Sequence, residues 1–167
     1  MNVRAGGPAD ASTVLSLLDE AVTWLVARGQ PDQWGDQPFS SRRESVTRIR
    51  VLCARGRVRV AESAGEPVGA LVLGDAPDHV PPIDEPELYI QLLVTSRRHA
   101  GRGIGARLIE VALAEAAADG VDRLRVDCWA GAPGLVDWYR RQGFAPAGGF
   151  ELNGWPGQIL ARAVPPA

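Results

Sequence analysis

ELYIQLLVTSRRHAGRGIGARLIEVALAEAAA, residues 87–118, holds two apolar periodicities joined by a turn. Leu88, Tyr89, Ile90, Leu92, Leu93 and Val94 form a near-continuous apolar run, which suits a strand buried on both faces. Farther along, Leu108, Ile109, Ala112, Leu113 and Ala116 fall on one face of a helix. Between the two lie Arg97, Arg98, His99, Ala100, Gly101, Arg102, Gly103, Ile104 and Gly105. A glycine-rich turn from a buried strand into a helix gathers free backbone N–H groups at the positive end of the helix dipole. An anion such as a pyrophosphate fits there. Glycine also permits positive φ and close approach of a ligand. The same turn reads equally as a tight connection that needs small residues for packing.

Upstream, RVRVAES (residues 57–63) alternates as a strand does, and VGALVL (68–73) reads as its hairpin partner across the turn 64–67. Earlier still, Val14, Leu17, Leu18, Ala21, Val22 and Leu25 mark an amphipathic helix. Asp10 or Ser12 is placed to cap it, and Gly29 to end it. Val3–Ala5 is a short edge strand. Ser41 and Glu44 have the spacing of a capping box for a second helix that runs to about Arg55. Its Arg42, Arg43, Arg48, Arg50 and Arg55 read as a solvated face. Trp34, in the loop 30–39, reads as packing that loop onto the domain.

Residues 74–86 carry four prolines and no periodicity. A connection of this length is often functional. Asp75, Asp78, Asp84 and Glu85, with Glu87 beyond, make it acidic. It either recognises a cationic acceptor or is a solvated, proline-stiffened loop, and its His79 reads as surface.

Downstream of Gly120, RLRVDCWA (123–130) alternates again. Leu124, Val126 and Cys128 share one face; Arg125, Asp127 and Trp129 share the other. An Asp in such a strand is costly unless paired. Asp127 is therefore salt-bridged, to Arg125 or another arginine, or it lines an acceptor pocket. Pro133 opens a short helix with Leu135, Trp138 and Tyr139 on one face, ended by Gly143. Residues 144–152 and 158–164 are strand-like. Asn153-Gly154 signals a turn that Trp155-Pro156-Gly157 lengthens, and Pro165-Pro166 ends the fold.

At 167 residues the chain is one domain, residues 1–167, by length. A net charge of −2 carries no nucleic-acid footprint. All 18 basic residues are arginine. Cys53 and Cys128 have no metal-like spacing and read as reduced core thiols of a cytoplasmic protein; no metal is expected. No apolar stretch approaches the ~18 residues that span a membrane, and the first residues lack a signal-peptide core.

Two motifs together carry a resemblance. One is the strand, glycine turn and helix just quoted. The other is Tyr139-Arg-Arg-Gln-Gly143-Phe144, one strand later. The chain resembles the GCN5-related N-acetyltransferase (GNAT) superfamily, marked by Arg/Gln-x-x-Gly-x-Gly/Ala after a central strand and by a later Tyr-x-x-x-Gly-Phe. With Gly103 and Gly105 as the family glycines, Ala100 stands at the Arg/Gln position; Ala132 stands where members often carry Asn. Ala100 keeps the backbone amides and loses one side-chain contact, and Arg97, Arg98 or Arg102 can restore the charge.

The resemblance implies an α/β (α+β) fold. It is a single GNAT-like domain with a mixed, mostly antiparallel twisted sheet and a splayed central parallel strand pair flanked by helices. It implies acetyl-CoA as cosubstrate. The backbone of Leu93, Val94 and Thr95 would hold the pantetheine and acyl carbonyl. The turn Ala100, Gly101, Arg102, Gly103, Ile104 and Gly105 would hold the pyrophosphate. The implied activity is acetyl transfer to the amine of a small molecule or peptide. The rival is a non-catalytic acyl-CoA-binding sensor of the same fold. A plain nucleotide site lacks its Gly-Lys-Ser/Thr. Tyr139 matches the family's general acid, a phenol of pKa about 10 that can protonate the leaving thiolate. For the base, Glu87 comes first and Asp127 second, with a water chain as a further route. A homodimer stays open.

Overall fold

Seven strands and four helices follow one another along residues 1–165, the part of the chain that the computed structural model describes. They are β1 (Asn2–Ala5), α1 (Ala11–Ala27), α2 (Arg43–Arg55), β2 (Arg57–Ser63), β3 (Glu66–Gly74), β4 (Glu87–Thr95), α3 (Ile104–Ala118), β5 (Arg123–Trp129), α4 (Pro133–Arg141), β6 (Ala145–Leu152) and β7 (Trp155–Ala163). The sheet order is β1-β2-β3-β4-β5-β7-β6. β4 and β5 run parallel, in register from Glu87↔Arg123 to Ile90↔Val126. The pairs β1/β2, β2/β3, β5/β7 and β6/β7 are antiparallel. This is the expected mixed sheet with one central parallel pair. Pro166, expected to end the fold, lies outside the described residues.

Two hairpins are tighter than their sequences suggest. Ala64 and Gly65 both take positive φ, 52° and 81°, as do Asn153 and Gly154, 50° and 79°. Two successive left-handed residues make the two-residue turn whose twist matches the flanking strands. So β3 begins at Glu66 rather than Val68, and β7 at Trp155 rather than Gln158. Trp155, Pro156 and Gly157 are strand, not connection.

By contact the chain divides into two compact units. The first comprises Met1–Leu73 and Leu92–Leu108. Its core gathers Val14, Leu18 and Val22 of α1, Ile49 and Cys53 of α2, Val58 and Val60 of β2, and Val94 of β4. Trp34 packs edge-on against buried Phe39, ring centroids 5.8 Å apart, so the packing reading of Trp34 holds.

Neither expected helix cap forms in this unit. Ser41 Oγ donates to the Pro38 carbonyl (2.8 Å), and α2 opens at Arg43 with no side-chain cap. The reason is tertiary. Ser40 is tied to Asp19 of α1 through its N–H (3.1 Å) and its hydroxyl (2.5 Å), so residues 39–41 form a separate 3-10 turn. Asp10 leaves its own helix uncapped because its carboxylate accepts from Gly7 N–H (3.0 Å) and the Arg4 guanidinium (2.7 Å). A Cβ at Gly69 of β3 would lie 2.8 Å from Ile104 Cγ2. Glycine there lets the start of α3 approach the strand.

The second unit comprises Gly74–Gln91 and the chain from Ile109 on. Leu124 and Val126 of β5 are buried, and Val80, Tyr89 and Ile159 form a small apolar cluster flanked by Ala76 and Phe150. The connection 75–86 is fastened at several points. Gln91 Nε2 donates to the Asp75 carbonyl (2.8 Å), Arg125 Nη1 donates to the Pro81 carbonyl (3.0 Å), and Val80 is buried.

Candidate active site

In the first unit, Gly101 and Gly103 have φ of 78° and 73°, and no atom lies within 4 Å of a Cβ built on either. Their presence answers to backbone conformation and not to crowding, which removes the packing reading of these two glycines. Ala100, Gly101, Arg102 and Gly103 are exposed. Ile104 is buried and begins α3 directly, so the helix's first N–H groups have no carbonyl four residues back. Gly105 is half-buried in the first turn of α3. At the end of β4, Val94 is buried in the core while Leu93 and Thr95 are half-buried.

Glu20 of α1 fixes this turn, a role its sequence position does not reveal. Its Oε1 accepts from Ser96 Oγ and from the Arg98 N–H, each at 3.0 Å. Burial pushes the Glu20 carboxyl up, but these hydrogen bonds outweigh it and hold the group below its ordinary value. Beside it, the Arg97 guanidinium lies 3.9 Å from the centre of the Trp24 ring, and Arg28 lies 4.7 Å from the same ring.

In the second unit, the strand register places Glu87, Tyr89, Arg125 and Asp127 on one sheet face. Arg125, its side chain 3% exposed, grips Glu87 at two points: Nε to Oε2 (2.5 Å) and Nη2 to Oε1 (2.8 Å). The sequence left Asp127 paired with Arg125 or another arginine, or lining an acceptor pocket. Instead Asp127 Oδ2 accepts from the Tyr89 hydroxyl at 2.5 Å. Tyr89 was read only as part of an apolar run. Tyr139 of α4 is buried, edge-on to Trp138 and Phe144. Burial, with the nearby Cys128 and Asp127, pushes its phenol far above the ordinary range. Among the described residues, no group of three or more His, Cys, Asp and Glu could hold a metal ion. Among them, too, no helix is long and apolar enough to cross a membrane.

Burial holds the Asp127 carboxyl above the usual carboxylate range, against the opposing pull of Tyr89 and His79. The folded protein therefore binds this proton more tightly than the unfolded chain does. The group's contribution to stability is greatest below the unfolded pKa and falls as pH rises through the folded one. Asp127→Asn, which still accepts from Tyr89, is expected to raise stability at neutral pH and to flatten its decline as pH rises above the ordinary carboxylate range. Denaturant titrations across that rise check this; a lower midpoint for the variant at neutral pH contradicts it.

A model of the acetyltransferase (GNAT) family matches residues 18–144. The uncharacterized N-acetyltransferase YesJ of Bacillus subtilis (strain 168) is 29% identical over 153 residues, which cover 86% of this chain and 83% of YesJ. A GCN5-related N-acetyltransferase structure from Rhodopseudomonas palustris superposes with a TM-score of 0.72 at 19% identity, over 97% of this chain and 94% of its own. The structure of yncA from Salmonella typhimurium, solved with its cofactor acetyl-CoA, gives 0.68 at 16% identity, over 98% and 94%. At such identities the likeness to these structures is one of fold.

Proposed function

Because the chain belongs to the acetyltransferase (GNAT) family, we propose that it transfers the acetyl group of acetyl-CoA to the amine of a small molecule or peptide by direct attack. The observation that supports this best is the exposed turn at Gly101 and Gly103, whose left-handed backbone precedes the first free amides of α3. Residues 100–105 would receive the pyrophosphate there. The backbone of Leu93, Val94 and Thr95 would bond the pantetheine and steady the oxyanion that develops on the acyl carbonyl.

In the proposed chemistry the amine nitrogen bonds the thioester carbon and the C–S bond breaks. A base takes one proton from the nitrogen, and Tyr139 gives one to the departing sulfur. Burial makes the Tyr139 hydroxyl a weak acid that stays protonated at every working pH. A thiolate leaving into equally poor solvation would have its own proton affinity raised, which would restore the driving force. For the base, the geometry favours Asp127 over Glu87, reversing their order from sequence. Both Glu87 oxygens are held by Arg125, whereas among the described residues Asp127 has only Oδ2 in a hydrogen bond. A half-buried carboxylate that, among the described residues, has no ion pair also speaks for catalysis over the sensor reading.

The direct test is release of free thiol from acetyl-CoA across a panel of amines. Binding is tested separately. Acetyl-CoA at about 100 times its dissociation constant is expected to stabilise the fold by ~2.7 kcal/mol. A melting temperature that rises with ATP or NAD but not with CoA or acetyl-CoA would overturn the assignment of the turn.

A further inference from the structure

Asp127 is served by one residue outside the proposed bond-making set. Tyr89 is 0% exposed, and its hydroxyl donates to Asp127 Oδ2. A carboxylate gripped at one oxygen by a rigid phenol has a fixed plane, so its other oxygen keeps a constant aim. Val80 and Ile159 are buried in one apolar cluster with Tyr89, which holds its ring in place.

We propose that Tyr89 is the positioning residue of Asp127, fixing the carboxylate that takes a proton from the acceptor amine. The inference rests on Asp127 being the base. The N–H proton moves to the Asp127 carboxylate as the amide bond forms. From there it passes to solvent. The carboxylate is restored and no further reagent is consumed.

The charged and titratable surroundings agree with this. Arg125 and Glu87 lie on the same face but neutralise each other. Cys128 and Tyr139 are held in their protonated forms by burial. Tyr89 is pushed up by burial and by Asp127, so it remains a donor. That leaves Tyr89 and His79 as the groups that favour the ionised form of Asp127.

The test is a carbon-13 NMR titration of the aspartate carboxyls, with Asp127 assigned by its loss in Asp127→Asn. Tyr89→Phe is expected to move the Asp127 midpoint up by about one to two pH units, the worth of one lost bond to a charged acceptor. Its turnover should fall, and the pH at which turnover is half-maximal should rise with that midpoint. An unmoved midpoint in folded Tyr89→Phe overturns the positioning role. If Tyr89→Phe does not fold, 3-fluorotyrosine at position 89, whose hydroxyl is the stronger donor, should move the Asp127 midpoint down, and an unmoved midpoint there overturns the role. Undiminished turnover in Asp127→Asn fails differently: it removes Asp127 as the base, whatever the titration shows.

Discussion

Tyr139→Phe is expected to lower turnover by about 10²–10⁴ while leaving acetyl-CoA affinity nearly constant. The structure makes this a clean substitution. The Tyr139 ring sits edge-on to Trp138, with centroids 4.9 Å apart, and to Phe144 at 5.7 Å. Phenylalanine keeps both contacts and the buried volume, so only the hydroxyl is lost. The loss should shrink with a thioester whose thiol is more acidic, because that leaving group needs less protonation. Turnover and affinity measured on the same folded variant separate the roles. Lower affinity with unchanged turnover would make the hydroxyl a ground-state contact and remove Tyr139 from the proton transfer.

The second large effect is on stability. Glu87→Ala should destabilise the protein by about 3–5 kcal/mol, because it strands a buried guanidinium. The Arg125 side chain is 3% exposed, and its Nε and Nη2 are both spent on Glu87. The double change Glu87→Leu with Arg125→Met should recover most of that loss, since it removes both charges from the interior. The carbonyl that Arg125 now serves belongs to Pro81, an exposed residue. Denaturant unfolding of the single and double variants forms the check; a loss below about 1 kcal/mol for Glu87→Ala would show the pair behaving as a surface one. Glu87→Gln should keep turnover per folded molecule within about tenfold, as befits a counter-ion and not a general base.

Where neighbouring residues settle a feature, the sequence was a good guide. The buried face of α1, the run-turn-helix of β4 and α3, and the Tyr139-to-Phe144 segment all appear as read. What escaped was set by partners distant in the chain. One of the open readings paired Asp127 with Arg125 two residues away, but both lie on one face of β5, which pairs with β4. Register then sent one to Glu87 and the other to Tyr89, each 38 residues distant. A strand's own alternation says which face a side chain occupies, not which neighbour faces it. Glu20, 76 residues from Ser96, is hidden for the same reason. The Ser41 capping box failed because a tie to Asp19 outcompeted a local preference.

The two cysteines are free and buried, and they fall one in each compact unit: Cys53 in the first, Cys128 in the second. Burial raises both thiols, that of Cys128 to about 12, so at neutral pH neither offers thiolate to a reagent. A disulfide dye added to the working enzyme therefore sees the released coenzyme thiol against a silent protein. Each cysteine becomes reactive only when its own surroundings open. Labelling rates resolved by peptide mass would thus run as two separate clocks, one timing the opening around α2 and the other the opening around β5.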